Sequence, residues 1–171
     1  MQQSRRLVLV RHAKAEQDGN TDAERALAEK GHDDAEEGGA WLSSSGYAPD
    51  HALVSSARRA LETWEALSAG GGWEVDADAS HTLYAAEPET VLDLIREVPD
   101  EARSVMVVGH NPTMAYVANM LDDGNGDEAA ATELTTRGFP TCSLAVFEYD
   151  GDWAALDVTS ARLVAFHVGR A

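Results

Sequence analysis

The sequence predicts a three-layer α/β/α sandwich with a mainly parallel central sheet and an antiparallel edge strand, built as one domain over residues 1–171. Three observations point there. Short apolar runs recur at 7–10 (LVLV), 52–54 (ALV) and 104–108 (SVMVV). They are continuous rather than alternating, as expected of strands covered on both faces. Segments with helical spacing separate these runs, so strands and helices alternate early in the chain. Late in the chain, two further apolar runs flank Asp150-Gly151, a hairpin signal that supplies antiparallel pairing.

The elements follow in order. Residues 7–10 form the first strand and end in Arg11-His12. Residues 13–26 are polar and aperiodic, a loop. Residues 32–42 are helical, with Ala35, Ala40, Trp41 and Leu42 inward. A Ser/Gly/Pro break at 43–49 precedes the strand at 52–54. Residues 57–67 form a helix with Ala60, Leu61, Trp64 and Leu67 on one side, Ser55 or Ser56 as its cap, and Gly70 to Gly72 as its stop. A short strand is expected at 73–75 and a loop from Leu83. Pro88 then opens a helix through Val91, Leu92, Leu94, Ile95 and Val98, closed by Pro99. The strand at 104–108 runs into Gly109-His110-Asn111-Pro112, where Asn111 is the expected cap of the next helix. Residues 122–132 are acidic and Gly-rich and read as a mobile loop. Strands at 142–149 and 153–158 form the hairpin, and 163–168 is the last strand.

The composition narrows function. The net charge is −17, which argues against a nucleic-acid partner, since phosphates need a basic surface. Lysine occurs only at 14 and 30. In so negative a field, Arg and His gathered in one place point to a specific anion. No run approaches the roughly 20 apolar residues of a membrane span. The opening MQQSRR leads into an apolar run too short for a signal-peptide core, so a cytoplasmic location and no membrane partner are expected. The single cysteine, Cys142, excludes an internal disulfide and a Cys-based metal site, and reads as a small core residue. His32, His51 and His81 lie in polar or turn contexts; His167 lies in an apolar run. No pair of histidines has metal-ligand spacing.

The chemistry sits at strand ends. If the three early strands are parallel and adjacent, Arg11-His12, Ser55-Ser56 with Arg58-Arg59, and Gly109-His110-Asn111 converge on one crevice. Guanidiniums and a helix N-terminus suit phosphate oxygens. No P-loop pattern occurs, and no carboxylate cluster suggests Mg²⁺. A phosphate site holding histidine and expected to need neither metal nor cofactor points to histidine as nucleophile on phosphorus.

RHAKAEQD, RALAEKG, SSARRALET, LYAAEPETVLDLI, VVGHNP and FPTCSLAVFEYDGDW occur in that order over nearly the whole chain. In these pieces the sequence resembles the histidine phosphatase superfamily, the phosphoglycerate-mutase-like group, and within it the SixA branch of phosphohistidine phosphatases. The resemblance implies His12 as the phosphorylated nucleophile and Arg11 as the adjacent clamp. It implies Arg59, rather than Arg58, as the second arginine, and His110 as a second histidine on the phosphoryl group. A protonated His110 would share the transferring charge with the arginines.

Two departures from the superfamily pattern stand out. Ala13 replaces the glycine after the Arg-His pair. The glutamate that serves as general acid in many members has no clear counterpart: Glu87, before Pro88, and Asp18, where other branches place Asn, are the candidates. Glu87 is equally an anion at a helix N-terminus, and Asp18 a solvated loop acid. General-acid help is worth roughly 10²- to 10⁴-fold, and an alkoxide leaving group needs it. An imidazole leaves far more readily, so a missing acid favours phosphohistidine. The expected substrate is therefore a phosphohistidine on a protein, taken by a monomeric enzyme whose short chain leaves an open site. A small-molecule phosphomonoesterase is the alternative, and a catalytically silent phosphoprotein-binding module the third.

Overall fold

The computed structural model describes residues 4–171. Its six strands are β1 (Arg5–Arg11), β2 (His51–Ser55), β3 (Ala77–Ser80), β4 (Ser104–Gly109), β5 (Ser143–Tyr149) and β6 (Arg162–Val168). The helices are α1 (Glu29–Ser44), α2 (Arg58–Gly71), α3 (His81–Tyr84), α4 (Pro88–Arg96), α5 (Thr113–Leu121) and α6 (Glu128–Arg137). The strands form one sheet in the order β3-β2-β4-β1-β5-β6. The first four are mutually parallel; β5 runs against both β1 and β6 at the other side.

β1 lies near the middle of this sheet, and Leu7, Val8, Leu9 and Val10 are fully buried. Leu7 and Leu9 face a core shared with Val91, Leu92 and Ile95 of α4 and Met114, Val117 and Leu121 of α5. Val8 and Val10 face the opposite core, with Ala35 and Leu42 of α1 and Trp64 and Leu67 of α2. Burying such a side chain contributes about 1.5–3 kcal/mol before entropy is counted, so β1 anchors both layers. No helix among the described residues is long and apolar enough to cross a membrane.

Several expected elements move. The hairpin partner of β5 is β6, not residues 153–158. There the chain makes a short 3₁₀ turn at Trp153–Ala155, because Trp153 is buried and its indole N–H donates to the Ala102 carbonyl at 2.7 Å. The expected mobile loop at 122–132 is ordered in its second half as the start of α6, capped by Asp127, whose carboxylate accepts from the Ala130 N–H at 2.8 Å. The strand expected at 73–75 forms at Ala77–Ser80 instead, and Leu83 lies in the single turn α3.

On α1 the buried face is Gly31, Asp34, Ala35, Gly38, Gly39 and Leu42; Ala40 is exposed and Trp41 only half-buried. Glycine dictates this packing. A Cβ on Gly39 would lie 2.0 Å from the Leu67 carbonyl oxygen, and one on Gly70 would lie 2.0 Å from that of Glu36. The backbones of α1 and α2 thus approach more closely than any side chain permits.

Candidate active site

Parallel pairing brings the strand ends together. Arg11 is in register with Gly109, and the backbone N–H of His12 donates to the Gly109 carbonyl at 3.0 Å. Val54 is in register with Val108, which carries Ser55 to the same end of the sheet. Two imidazoles result, His12 and His110, with ring centroids 5.2 Å apart. The N-terminus of α2 supplies Arg59, which is 5 % exposed. Around these groups lies a cleft of about 520 Å³, lined by Arg11, His12, Lys14, Arg25, Arg59 and His110 together with Ala15, Gln17, Asn111 and Thr141.

Each ring is held. His12 Nδ1 lies 2.7 Å from the Ala13 carbonyl oxygen. A carbonyl can only accept, so Nδ1 carries the proton and Nε2 keeps a free lone pair. The Ala13 backbone is fixed in turn: its N–H donates to Thr63 Oγ1 at 3.0 Å, and that hydroxyl donates to the Arg59 carbonyl at 2.7 Å. His110 Nε2 lies 2.6 Å from Ser55 Oγ, while its Nδ1 is buried with no partner among the described protein groups. Ser55 Oγ also accepts from the Ala57 N–H at 3.2 Å; the cap residue of α2 is Ala57, not Ser55 or Ser56. Asn111 precedes Pro112, the cap residue of α5, and its Oδ1 accepts from the Ala115 N–H at 3.2 Å.

Burial drives both rings toward neutrality. It pushes His12 down to about 4; the hydrogen bond to Ala13 opposes this, and Arg59, Arg11 and Arg25 add to it. His110 is pushed down to about 3, first by burial and then by His12 and Arg59. The ring expected to be protonated is therefore neutral at pH 7 in this arrangement of charges. An anion between the rings favours its charged form.

The guanidiniums are oriented by backbone and carboxylate groups. Arg11 Nη1 donates to the Phe139 carbonyl at 3.1 Å, which also accepts from Asn111 Nδ2 at 2.8 Å. Arg59 donates through Nη1 to the Asp22 carbonyl at 2.8 Å and through Nη2 to the Asp22 carboxylate at 3.0 Å. Arg25 donates to the Glu16 carbonyl at 2.9 Å and to Asp22 Oδ1 at 3.1 Å.

Of the residues singled out from the sequence, His12, Arg11, Arg59 and His110 meet at this cleft. Arg58 points elsewhere, pairing with Glu62 at 3.3 Å. Asp18 lines a separate neighbouring cavity of about 980 Å³, and Glu87 is the exposed cap residue of α4 with no side-chain hydrogen bond to the helix; neither lines the cleft. No group of three or more His, Cys, Asp or Glu side chains able to hold a metal ion occurs among the described residues. Sequence reasoning missed Arg25, Lys14, Asp22 and Tyr84. The signal for the first two was their positive charge in a loop of a strongly acidic chain. Asp22 and Tyr84 carried no signal, since their roles depend on side-chain contacts across 62 residues of sequence.

Comparison with known proteins identifies the family and the fold. The model of the histidine phosphatase superfamily (branch 1) matches residues 7–80. The uncharacterized protein Rv1276c of Mycobacterium tuberculosis is 39 % identical over 162 residues, covering 94 % of this chain and 100 % of that one. A protein from Nakamurella multipartitia assigned as phosphohistidine phosphatase SixA superposes with a TM-score of 0.85 at 30 % identity, covering 99 % of each chain. Another so assigned, from Agrobacterium tumefaciens, gives 0.76 at 32 % identity, covering 97 % of this chain and 99 % of that one.

Proposed function

The chain belongs to the histidine phosphatase superfamily, and from that premise we propose that it hydrolyses phosphohistidine on proteins through a covalent intermediate on His12. The observation that carries the choice of substrate is the cleft lining: three guanidiniums, one ammonium and two imidazoles, with no carboxylate among the lining residues and the adjoining Asp22 carboxylate already engaged by Arg59 and Arg25. Such a site grips a phosphoryl dianion and offers no carboxylic acid to a departing alkoxide. A phosphohistidine needs none. Its imidazole leaves with the P–N electron pair and is neutral once its other ring nitrogen holds a proton.

The geometry supports two steps. His12 Nε2, freed by the Nδ1–H bond to Ala13, forms a bond to phosphorus as the substrate P–N bond breaks. Arg11, Arg59 and Arg25 hold the phosphoryl oxygens, and His110, which gains a proton more readily beside the anion, adds a donor. Water then attacks phosphorus, the bond to Nε2 breaks, the electron pair returns to His12, which is again neutral with its proton on Nδ1, and the water's two protons leave on the released phosphate. The cleft is open at the surface, which fits a histidine presented on a protein. The resemblance to two proteins assigned as SixA supports the same substrate class.

The test is direct trapping. A phosphohistidine-bearing protein is mixed with the enzyme, quenched in alkali to preserve P–N bonds, and resolved by electrophoresis. Wild type is expected to carry label at His12. His12→Ala is expected to carry none and to lose about 10³-fold or more in phosphate release. A labelled His12→Ala protein would falsify the assignment of the nucleophile. Faster turnover of a sugar phosphate than of phosphohistidine would overturn the substrate class.

A further inference from the structure

Two of the three guanidiniums lining the cleft share one anion that the chain itself supplies. The Asp22 carboxylate accepts from Arg59 Nη2 at 3.0 Å through Oδ2, and from Arg25 Nε and Nη2 at 3.1 Å through Oδ1. The Tyr84 hydroxyl donates to the same Oδ2 at 2.5 Å. The Tyr84 ring meets His110 edge-on, with centroids 5.6 Å apart, and the Arg59 guanidinium lies 6.0 Å from its centroid. The Asp22 side chain is 54 % exposed, against 7 % for that of Arg59. An arginine can be oriented without an anion, since a carbonyl alone suffices for Arg11. A carboxylate on two phosphate-binding guanidiniums does more than orient them. It lowers the positive potential that an incoming phosphoryl group would meet.

We propose that Asp22, fixed on Arg59 and Arg25 and held by Tyr84, is a specificity-determining residue that selects phosphoramidates over phosphomonoesters, an inference that rests on the phosphohistidine function proposed above. In-line transfer puts the leaving atom across phosphorus from His12. Among the described residues Asp22 bonds to neither His12 nor Arg11; it stands with the groups that grip the phosphoryl oxygens. A phosphohistidine reacts with its distal ring nitrogen protonated. The P–N bond breaks, the electron pair stays on the leaving nitrogen, and a neutral imidazole departs. The carboxylate raises the fraction of bound substrate that carries this proton. A phosphomonoester instead develops negative charge on its leaving oxygen, and the same carboxylate repels it. The selection is electrostatic and does not require Asp22 to give or take a proton.

The experiment compares the full-length chain with Asp22→Asn, Asp22→Glu and Tyr84→Phe. Each is assayed on phosphohistidine and on p-nitrophenyl phosphate, whose leaving group needs no proton and so isolates the effect of charge. Binding of inorganic phosphate is measured by calorimetry. Asp22→Asn is expected to bind phosphate about three- to tenfold more tightly and to lower the ratio of kcat/KM on phosphohistidine to that on p-nitrophenyl phosphate by about tenfold. Asp22→Glu restores most of that ratio, and Tyr84→Phe shifts it in the same direction as Asp22→Asn by less. An unchanged ratio, or weaker phosphate binding in Asp22→Asn, overturns the inference, because Asp22 would then only hold Arg59 in place. The wild-type arm separates the two levels: a wild type inactive on phosphohistidine sinks the substrate class, whereas an active wild type with an indifferent Asp22→Asn sinks only the selection.

Discussion

Thr63→Val tests how the nucleophile is held. Thr63 is fully buried, and its hydroxyl bridges α2 to the residue after His12, accepting from the Ala13 N–H at 3.0 Å and donating to the Arg59 carbonyl at 2.7 Å. Valine has nearly the same shape, so packing is preserved while the acceptor disappears. Ala13 is itself fully buried, so water cannot replace the lost partner. An unsatisfied buried donor costs about 1–3 kcal/mol. For a chain of this length each kcal/mol moves Tm by roughly 2–4 °C, so the fall is between about 2 and 12 °C. The catalytic effect follows from the next link, because the Ala13 carbonyl is what orients the His12 ring. A loosened peptide lets that ring drift, and a misplacement of about 1 Å costs up to about 10²-fold in rate. Urea unfolding reads the first effect and the rate of phosphoenzyme formation the second. Thr63→Ser, which keeps the hydroxyl, is expected to retain the rate. A Thr63→Val protein within about 0.5 kcal/mol of wild type, with normal phosphoenzyme formation, would refute the bridge.

Two further outcomes are expected. Burial lowers both His12 and His110, to about 4 and about 3, so the unfolded chain binds their protons first as the pH falls. Stability from this source is full above the unfolded value near 6.5 and is lost as the pH drops from about 6.5 to about 4 for His12 and on to about 3 for His110, with a slope of at most about 2.7 kcal/mol per pH unit while both titrate. Urea midpoints at pH 7 and pH 5 check it, and His110→Gln should flatten the decline. Gly39→Ala places a methyl 2.0 Å from the Leu67 carbonyl oxygen, so α1 and α2 must separate. A loss of about 1–3 kcal/mol is expected despite alanine's better helix propensity, whereas Ala40→Ser at the exposed neighbouring position should be nearly neutral in urea unfolding.

The early strands were legible because burial on both faces leaves a mark in one dimension: four consecutive apolar residues in β1 and five buried residues before Gly109 in β4. The strand ends were legible for the same reason, since a polar pair following such a run must emerge where the buried strand ends. What failed was packing without apolar side chains. The inner face of α1 includes Gly31, Gly38 and Gly39, which carry no hydrophobic signal, so periodicity pointed to Ala40 and Trp41 instead. The segment at 153–158 looked like a strand because Trp153 and Leu156 are apolar, but both are buried from a turn. Helix α6 was hidden by the Gly and Asp residues before it, although Ala, Glu and Leu favour helix from residue 128 onward.

The phosphate grip and the state of the nucleophile are not independent features. A chain of net charge −17 gathers three arginines and a lysine in one cleft and keeps Glu16, Asp18, Glu24, Glu62 and Glu65 in the cavity next to it. Cations so placed bind a dianion, and they also oppose protonation of His12. Burial acts the same way. The groups that hold the substrate's oxygens thus keep the attacking nitrogen unprotonated without any dedicated base, and the Ala13 carbonyl needs only to fix which nitrogen that is. His110 is lowered by the same burial and the same arginine, yet it faces the opposite demand, to gain a proton when the anion arrives. The two rings differ in what holds them. A carbonyl can only accept, which commits His12 Nδ1 to its proton, whereas the Ser55 hydroxyl can donate or accept and so tolerates either state of His110. That difference, a backbone carbonyl against one ring and a hydroxyl against the other, lets one field serve a nucleophile and a phosphoryl ligand 5.2 Å apart.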